Sequence, residues 1–252
     1  MAYSPFQNTG SRFWPIIAHE GWPIIAVMTM VAAALAASAW WLHPWAGGGV
    51  GVVGLALVVW AIWFFRDPSR RTPTSPDAII SGADGVVCFV GPGSPPAELN
   101  VPAEVARGMT RVSVFMNVFN VHVNRSPAAG RIERIAYRPG KFFNAAFDKA
   151  SEHNERLSML LRLDRGGSMV VVQIAGLIAR RIVCRASEGQ AMAAGERFGL
   201  IRFGSRVDHY LPAGAETGVR IGDKSTAGET VIARLTGSAM DRETQVPEAT
   251  HA

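Results

Sequence analysis

Two runs near the N-terminus, Trp22–Leu42 and Val50–Phe65, contain no charged residue. At 1.5 Å per residue the first is long enough, as a helix, to cross a hydrocarbon core of about 30 Å. The second is shorter and spans comfortably only if its helix starts inside the glycines of the connecting His43-Pro-Trp-Ala-Gly-Gly-Gly49. Trp40, Trp41 and Trp45 cluster at one end of the pair, and Trp60 and Trp63 at the other, where interfacial aromatic residues belong. Arg66, Arg70 and Arg71 follow at once, whereas the glycine-rich connection carries no charge. By the positive-inside rule both termini and everything after residue 66 belong in the cytoplasm. A cleaved signal peptide fits poorly, because the apolar region is too long and a second one follows it. Two alternatives stay open: a hairpin that dips into one leaflet, and a pair of buried soluble helices. The expected organisation is a membrane-anchoring helical hairpin over 1–66 and a cytoplasmic domain over 67–252.

Charge is distributed accordingly. Residues 1–65 hold one basic residue, Arg12, and one acidic residue, Glu20, so the net charge of +5 belongs to the rest of the chain. Apart from Lys141, Lys149 and Lys224 the basic residues are arginines, whose planar fork suits phosphate and carboxylate. An anionic partner such as a nucleic acid or a phospholipid headgroup fits that bias; so does a solvated basic face. After a Pro/Ser/Thr linker over 68–76, short β-branched runs recur between turn residues. They are Ala78–Ile80, Gly85–Val90, Arg111–Phe119, Gly130–Tyr137, Ser168–Ile174, Leu177–Arg185, Phe198–Phe203, Arg206–Leu211 and Thr230–Leu235. The region Ala145–Leu161 is the best candidate for a helix. The fold class is therefore mainly β, a sandwich or barrel-like domain with one or two short helices, behind the N-terminal hairpin. Cys88 and Cys184 lie in separate apolar runs and suggest neither a disulfide framework nor a zinc site.

Three stretches combine reactive side chains with tight apolar flanks. In Ser81-Gly-Ala-Asp-Gly-Val-Val87, Asp84 precedes a glycine and a strand, which by itself also describes an ordinary turn. In Phe119-Asn-Val-His-Val-Asn-Arg-Ser-Pro127, a strand through His122 would place Asn120, His122 and Asn124 on one face. In Glu196–Pro212, two apolar runs are pinched at Gly204-Ser205, where glycine tolerates a strained backbone and the serine is a turn residue or a nucleophile.

Together these segments resemble one family, the phosphatidylserine decarboxylases in their short membrane-anchored bacterial form. The likeness runs through most of the chain after residue 66. It also takes in Asn144-Ala-Ala-Phe-Asp-Lys-Ala-Ser-Glu-His-Asn-Glu-Arg156 and Gln173-Ile-Ala-Gly-Leu-Ile-Ala-Arg-Arg-Ile-Val183. The resemblance implies a precursor that cuts itself between Gly204 and Ser205 into a β-chain, 1–204, and an α-chain, 205–252. It implies that Ser205 is the nucleophile, that His122 takes its proton and that Asp84 orients His122, the logic of a Ser-His-Asp triad. Attack on the Gly204 carbonyl gives an ester. β-Elimination leaves dehydroalanine, and hydrolysis releases ammonia and leaves a pyruvoyl group in place of Ser205. This self-derived cofactor, with no external cofactor or metal, would form a Schiff base with the amine of phosphatidylserine and draw electrons as CO2 leaves. The product would be phosphatidylethanolamine. The implied partners are phosphatidylserine, membrane lipid and the enzyme's own two chains; room is left for a homo-oligomer, and no nucleic acid is expected. The implied location is the bacterial cytoplasmic membrane, with the catalytic domain on the cytoplasmic side.

Two positions depart from the longer relatives. They read Leu-Gly-Ser-Thr at the cut, where this chain has Phe203-Gly-Ser-Arg206, and they carry a second histidine where this chain has Phe119. Lys149, Asn154, Glu155 and Arg156 could hold a headgroup or form a solvated helix face, with the second favoured. His209, four residues after Ser205, could touch the site, with a surface tip favoured. Two other readings compete: a membrane-tethered lipoyl-like β-sandwich serving as an interaction module, and a membrane-anchored serine hydrolase. The first leaves the co-occurrence of Asp84, His122 and Gly204-Ser205 unexplained; the second lacks a Gly-x-Ser-x-Gly elbow.

Overall fold

Each uncharged run forms a helix of 21 residues, α1 (Trp22–Leu42) and α2 (Pro44–Phe64), in the computed structural model. The structure describes residues 6–8, 16–141, 143, 153–176, 181–202 and 204–236. These fall into two compact units, one within 10–69 and the other made of 6–8 and the residues from Arg70 onward.

In the helical unit, extended His43 separates the helices and Pro44 opens α2, where a missing N–H costs nothing. α2 begins at Pro44, ahead of the glycines expected to hold its start, and continues through Gly47–Gly49. The helices pack antiparallel through small residues. A Cβ on Gly54 would stand 2.7 Å from that of Ala32, and one on Gly47 would meet the backbone of Trp40 at 2.5 Å. The hydroxyls of Thr29 and Ser38 return to the carbonyls of Ile25 and Ala34 at 2.8 and 2.9 Å, so neither needs water. Both helices are long and apolar enough to cross a membrane. Their large side chains point outward, with Trp41 91% and Val52 70% exposed. Two-residue strands flank the pair: β2 (Ile16–Ile17), after β1 (Phe6–Asn8) of the other unit, and β3 (Arg66–Asp67), to which β2 pairs.

The larger unit continues with β4 (Arg71–Pro73), β5 (Ala78–Ile80), β6 (Gly85–Pro92), the single helical turn α3 (Ala103–Ala106), β7 (Thr110–Met116) and β8 (Val123–Arg125). Then come β9 (Gly130–Arg138), β10 (Arg156–Leu163), β11 (Ser168–Ala175), β12 (Ile182–Cys184), β13 (Ala191–Met192) and β14 (Arg197–Ile201). The last are β15 (Ser205–Leu211), β16 (Glu216–Thr217), β17 (Lys224–Ser225) and β18 (Val231–Arg234). Eight of these form one antiparallel sheet in the order β13-β9-β10-β11-β15-β7-β6-β17. Smaller sheets, β12-β14-β8 and β16-β18-β5, accompany it. One side of the large sheet contributes Val112, Val114, Met159, Leu161, Met169, Val171 and Val207 to the main core. The other contributes Leu160, Val170, Val172, Ile174 and Tyr210, covered by Leu99, Val101, Val105 and Met109.

That double coverage corrects one expectation. The helix expected over Ala145–Leu161 falls partly on 145–152, outside the described residues, but its C-terminal part is strand β10. Leu157-Ser-Met-Leu-Leu161 is buried on both faces between β9 and β11. A strand covered on both sides shows no period-two alternation, so its apolar spacing can imitate a helix. The run expected over Leu177–Arg185 is a strand at Ile182–Cys184, with 177–180 outside the described residues, and Arg111–Phe119 stops pairing at Met116. The tail from Asp241 also lies outside them. Cys88 and Cys184 are free thiols.

Candidate active site

Gly204 sits in the left-handed region at φ +57°, where a side chain would be strained although the space around it is open. The bend it makes carries the chain from β14, in one small sheet, into β15, in the large one. Phe203 lies outside the described residues. Ser205 is the first residue of β15, opposite Met116 of β7 on one side and Ala175 of β11 on the other. It is fully buried, and its Oγ has no hydrogen-bond partner among the described residues. A buried hydroxyl left in that state costs roughly 1–3 kcal/mol, so its retention asks for a reason.

His122 is buried just ahead of β8, and its carbonyl accepts a 3.3 Å hydrogen bond from the Ile201 N–H at the end of β14. Its Nδ1 lies 3.0 Å from the Asn120 carbonyl. Because a carbonyl only accepts, the bond assigns the proton to Nδ1 and the lone pair to the buried Nε2. The expected shared face of Asn120, His122 and Asn124 does not form. Residues 121–126 are all buried, and Asn120 instead closes its own turn by accepting from the Asn117 N–H at 2.9 Å. Asn124 reaches inward, accepting from Gln173 Nε2 at 2.8 Å and donating to the Gly82 carbonyl at 3.3 Å.

Asp84 stands in the turn ahead of β6. Its two oxygens each lie 2.9 Å from Arg70 Nη2, and Oδ1 also accepts from the Ala227 N–H at 2.7 Å. Among the described residues its hydrogen bonds therefore go to Arg70 and Ala227. The same turn is held two residues earlier. The Gly82 N–H donates to His209 Nε2 at 2.9 Å, and the Gly82 carbonyl accepts from the Arg125 N–H at 3.0 Å. A Cβ on Gly82 would stand 2.8 Å from the Arg125 carbonyl and 3.0 Å from His209 Nε2. One on Gly85 would stand 2.0 Å from the Phe115 carbonyl.

The structure thus joins the Asp84 turn, the His122–Arg125 segment and the first half of β15 through Gly82, Asn124, Gln173 and His209. His209 is not the surface tip expected. It is fully buried, its Nδ1 faces the Val112 carbonyl at 3.3 Å, and burial pushes its pKa down to about 4. On the opposite face of β15, Arg206 and Asp208 form a buried ion pair at 2.7 Å. Lys149 lies outside the described residues. Asn154 and Arg156 are buried rather than on a solvated helix face. Asn154 donates to the carbonyls of Phe143 and Ala175, and Arg156 meets Glu98 at 2.6 Å. The hydrogen bonds from Arg156 hold the Glu98 carboxyl down at about 2.

Sequence reading missed Arg70, Gln173 and His209. For the last two a signal existed: Gln173 interrupts the apolar run Met169–Ile174, and His209 falls in period-two register with Val207 and Leu211. Arg70 gave none, since an arginine after an apolar helix reads as a topology signal.

The model of the phosphatidylserine decarboxylase family matches residues 57–233, which takes in every site residue above. The chain belongs to that family. It is 56% identical over 186 residues to a phosphatidylserine decarboxylase proenzyme of Ruegeria pomeroyi, covering 74% of this chain and 84% of the relative. It is 55% identical over 193 residues to a proenzyme of the same name from Cereibacter sphaeroides, covering 77% and 82%.

Proposed function

We propose that this chain decarboxylates phosphatidylserine to phosphatidylethanolamine at a site it makes by cutting itself between Gly204 and Ser205. The observation that carries the self-processing is the fully buried Ser205 Oγ, without a partner among the described residues, directly after a left-handed glycine. A hydroxyl so enclosed is poorly placed to attack a substrate from solution, which tells against the hydrolase reading. It lies within reach of its own peptide bond.

His122 Nε2 is the base in this reading. It takes the Oγ proton as Oγ bonds to the Gly204 carbonyl carbon and the Gly204–Ser205 C–N bond breaks, leaving an ester. Loss of the Ser205 α-proton and cleavage of its Cβ–Oγ bond then free Gly204 as a carboxylate. Tautomerisation and water release ammonia and leave a ketone at position 205. The site suits such a group, because residue 205 heads a strand paired on both sides and cannot drift after the cut. A pyruvoyl group supplies an electrophilic carbonyl and an electron sink for the departing carboxylate. His122 then holds the proton that returns to the substrate's α-carbon. Asp84 keeps the His122 side of the site in place through the Gly82 turn. The apolar helices anchor the chain to the bilayer that carries the substrate, and the later domain works on the cytoplasmic side.

Intact-mass measurement of the purified chain tests this directly. Two fragments are expected, 1–204 and 205–252, the second blocked to N-terminal sequencing, together with CO2 release from phosphatidylserine vesicles. Ser205→Ala should give one uncut, inactive chain. An uncut wild-type chain that still releases CO2 would sink the proposal.

A further inference from the structure

Asp84 is gripped from two directions, and neither grip involves the residues assigned to proton transfer. Arg70, the first residue after the helical unit, is buried and places Nη2 2.9 Å from both carboxylate oxygens. Its Nε is buried without a partner among the described residues, so the hydrogen bonds of its guanidinium are directed at Asp84. The Arg70 backbone is itself fixed. The Arg71 N–H donates to Glu229 Oε1 at 2.8 Å, and β4 follows at once. The turn after β17 closes over the pair. Its Gly228 sits at φ +79°, where a side chain would be strained, and a Cβ there would meet Arg70 Cβ at an ordinary 3.4 Å and press on Arg125 Cδ at 3.0 Å. The Gly228 N–H donates to the Ser81 carbonyl and the Ser81 N–H to the Thr230 carbonyl, both at 2.8 Å. The carboxylate is therefore met by Arg70 from one side of the cut and by the Ala227 N–H from the other.

We infer that Arg70 is a positioning residue for the self-cleavage and the decarboxylation, acting through Asp84. This rests on the role given to Asp84 above. A hydrogen-bonded charge pair fixes a carboxylate more tightly than packing does, because a displaced oxygen loses both contacts with the same nitrogen. The residue that ends the passage from the apolar helices thus sets the acid of the site, and the linker does more than connect.

The test is a double-mutant cycle on the full chain in detergent micelles, following the rate of precursor cleavage by intact mass. Arg70→Met should slow cleavage about tenfold, and Arg70→Lys, which keeps the charge, should recover part of that. In an Asp84→Asn background the further change Arg70→Met should alter the already slow rate by less than about twofold, because the group it positions is gone. A defect of folding alone would cost the same factor in both backgrounds, and that result overturns the inference. So does wild-type cleavage by Arg70→Met. Wild-type cleavage by Asp84→Asn overturns the reading of Asp84 and this inference with it, whereas a slow Asp84→Asn beside a fast Arg70→Met removes Arg70 alone. If Arg70→Met does not fold, Arg70→Lys decides: slower cleavage at an unchanged melting temperature is expected, and a wild-type rate refutes it.

Discussion

The two units break the ordinary rule of burial in opposite directions. The helical unit turns tryptophan, valine and leucine outward and satisfies the Thr29 and Ser38 hydroxyls within the helices. The β unit seals arginine, aspartate, histidine, glutamine and serine inside. Exposed apolar surface on this scale marks a face made to meet a membrane or a partner. Buried polar groups imply that something specific is being held, since each is costly unless paired. One unit declares its solvent and the other its chemistry.

The comparison fails first at Asp208 if it fails at all. Replacing Asp208 by Asn withdraws the carboxylate from buried Arg206 and should cost about 3–5 kcal/mol, seen as a large drop in melting temperature. A drop of only a degree or two would mean that the interior is wetter than it looks. Next comes Val53→Asp, halfway along α2 at a position 61% exposed. In hydrocarbon the carboxylate costs about 3 kcal/mol, so carbonate extraction should release much of the protein from membranes. In water the change would do almost nothing, and full retention would break the contrast.

Acid should act on the β unit through His209. Its pKa falls from the ordinary 6.5 to about 4 on folding, so the unfolded chain takes up this proton first. The associated stability is intact above about pH 6.5 and is lost as pH falls toward 4, by on the order of 3 kcal/mol in all. Glu98, held down at about 2, adds a further loss below about pH 4.5. Denaturant titrations at pH 7, pH 4.5 and pH 3 separate the two, and His209→Gln should flatten the upper part of the curve. The smallest effect is expected for Gly82→Ala. Its Cβ must displace the Arg125 carbonyl or His209, at about 1–3 kcal/mol, with slower cleavage as the more sensitive readout.

What the sequence revealed follows the same divide. The uncharged runs were legible because a bilayer reads only length and the absence of charge, which a single chain displays in full. Gly204-Ser205 and the β6, β7, β9, β11 and β15 runs were legible because turn residues bound them. β10 was not, because double coverage erased the alternation that would have marked it. Asn120 was misplaced because its turn consumes its side chain locally. Arg70 stayed hidden because its partner lies fourteen residues on, in a turn that looks complete by itself.

β15 lies in the interior of the eight-stranded sheet, hydrogen-bonded along its length to β11 and β7. The cut proposed before its first residue would therefore release nothing, since the smaller piece would stay paired in the sheet. Denaturing the mature enzyme is another matter, since its halves must then find one another in solution. Recovery of the precursor should be independent of protein concentration, while recovery of the cut form should rise with it. The proposed cleavage would thus turn a one-chain folding problem into a two-chain one.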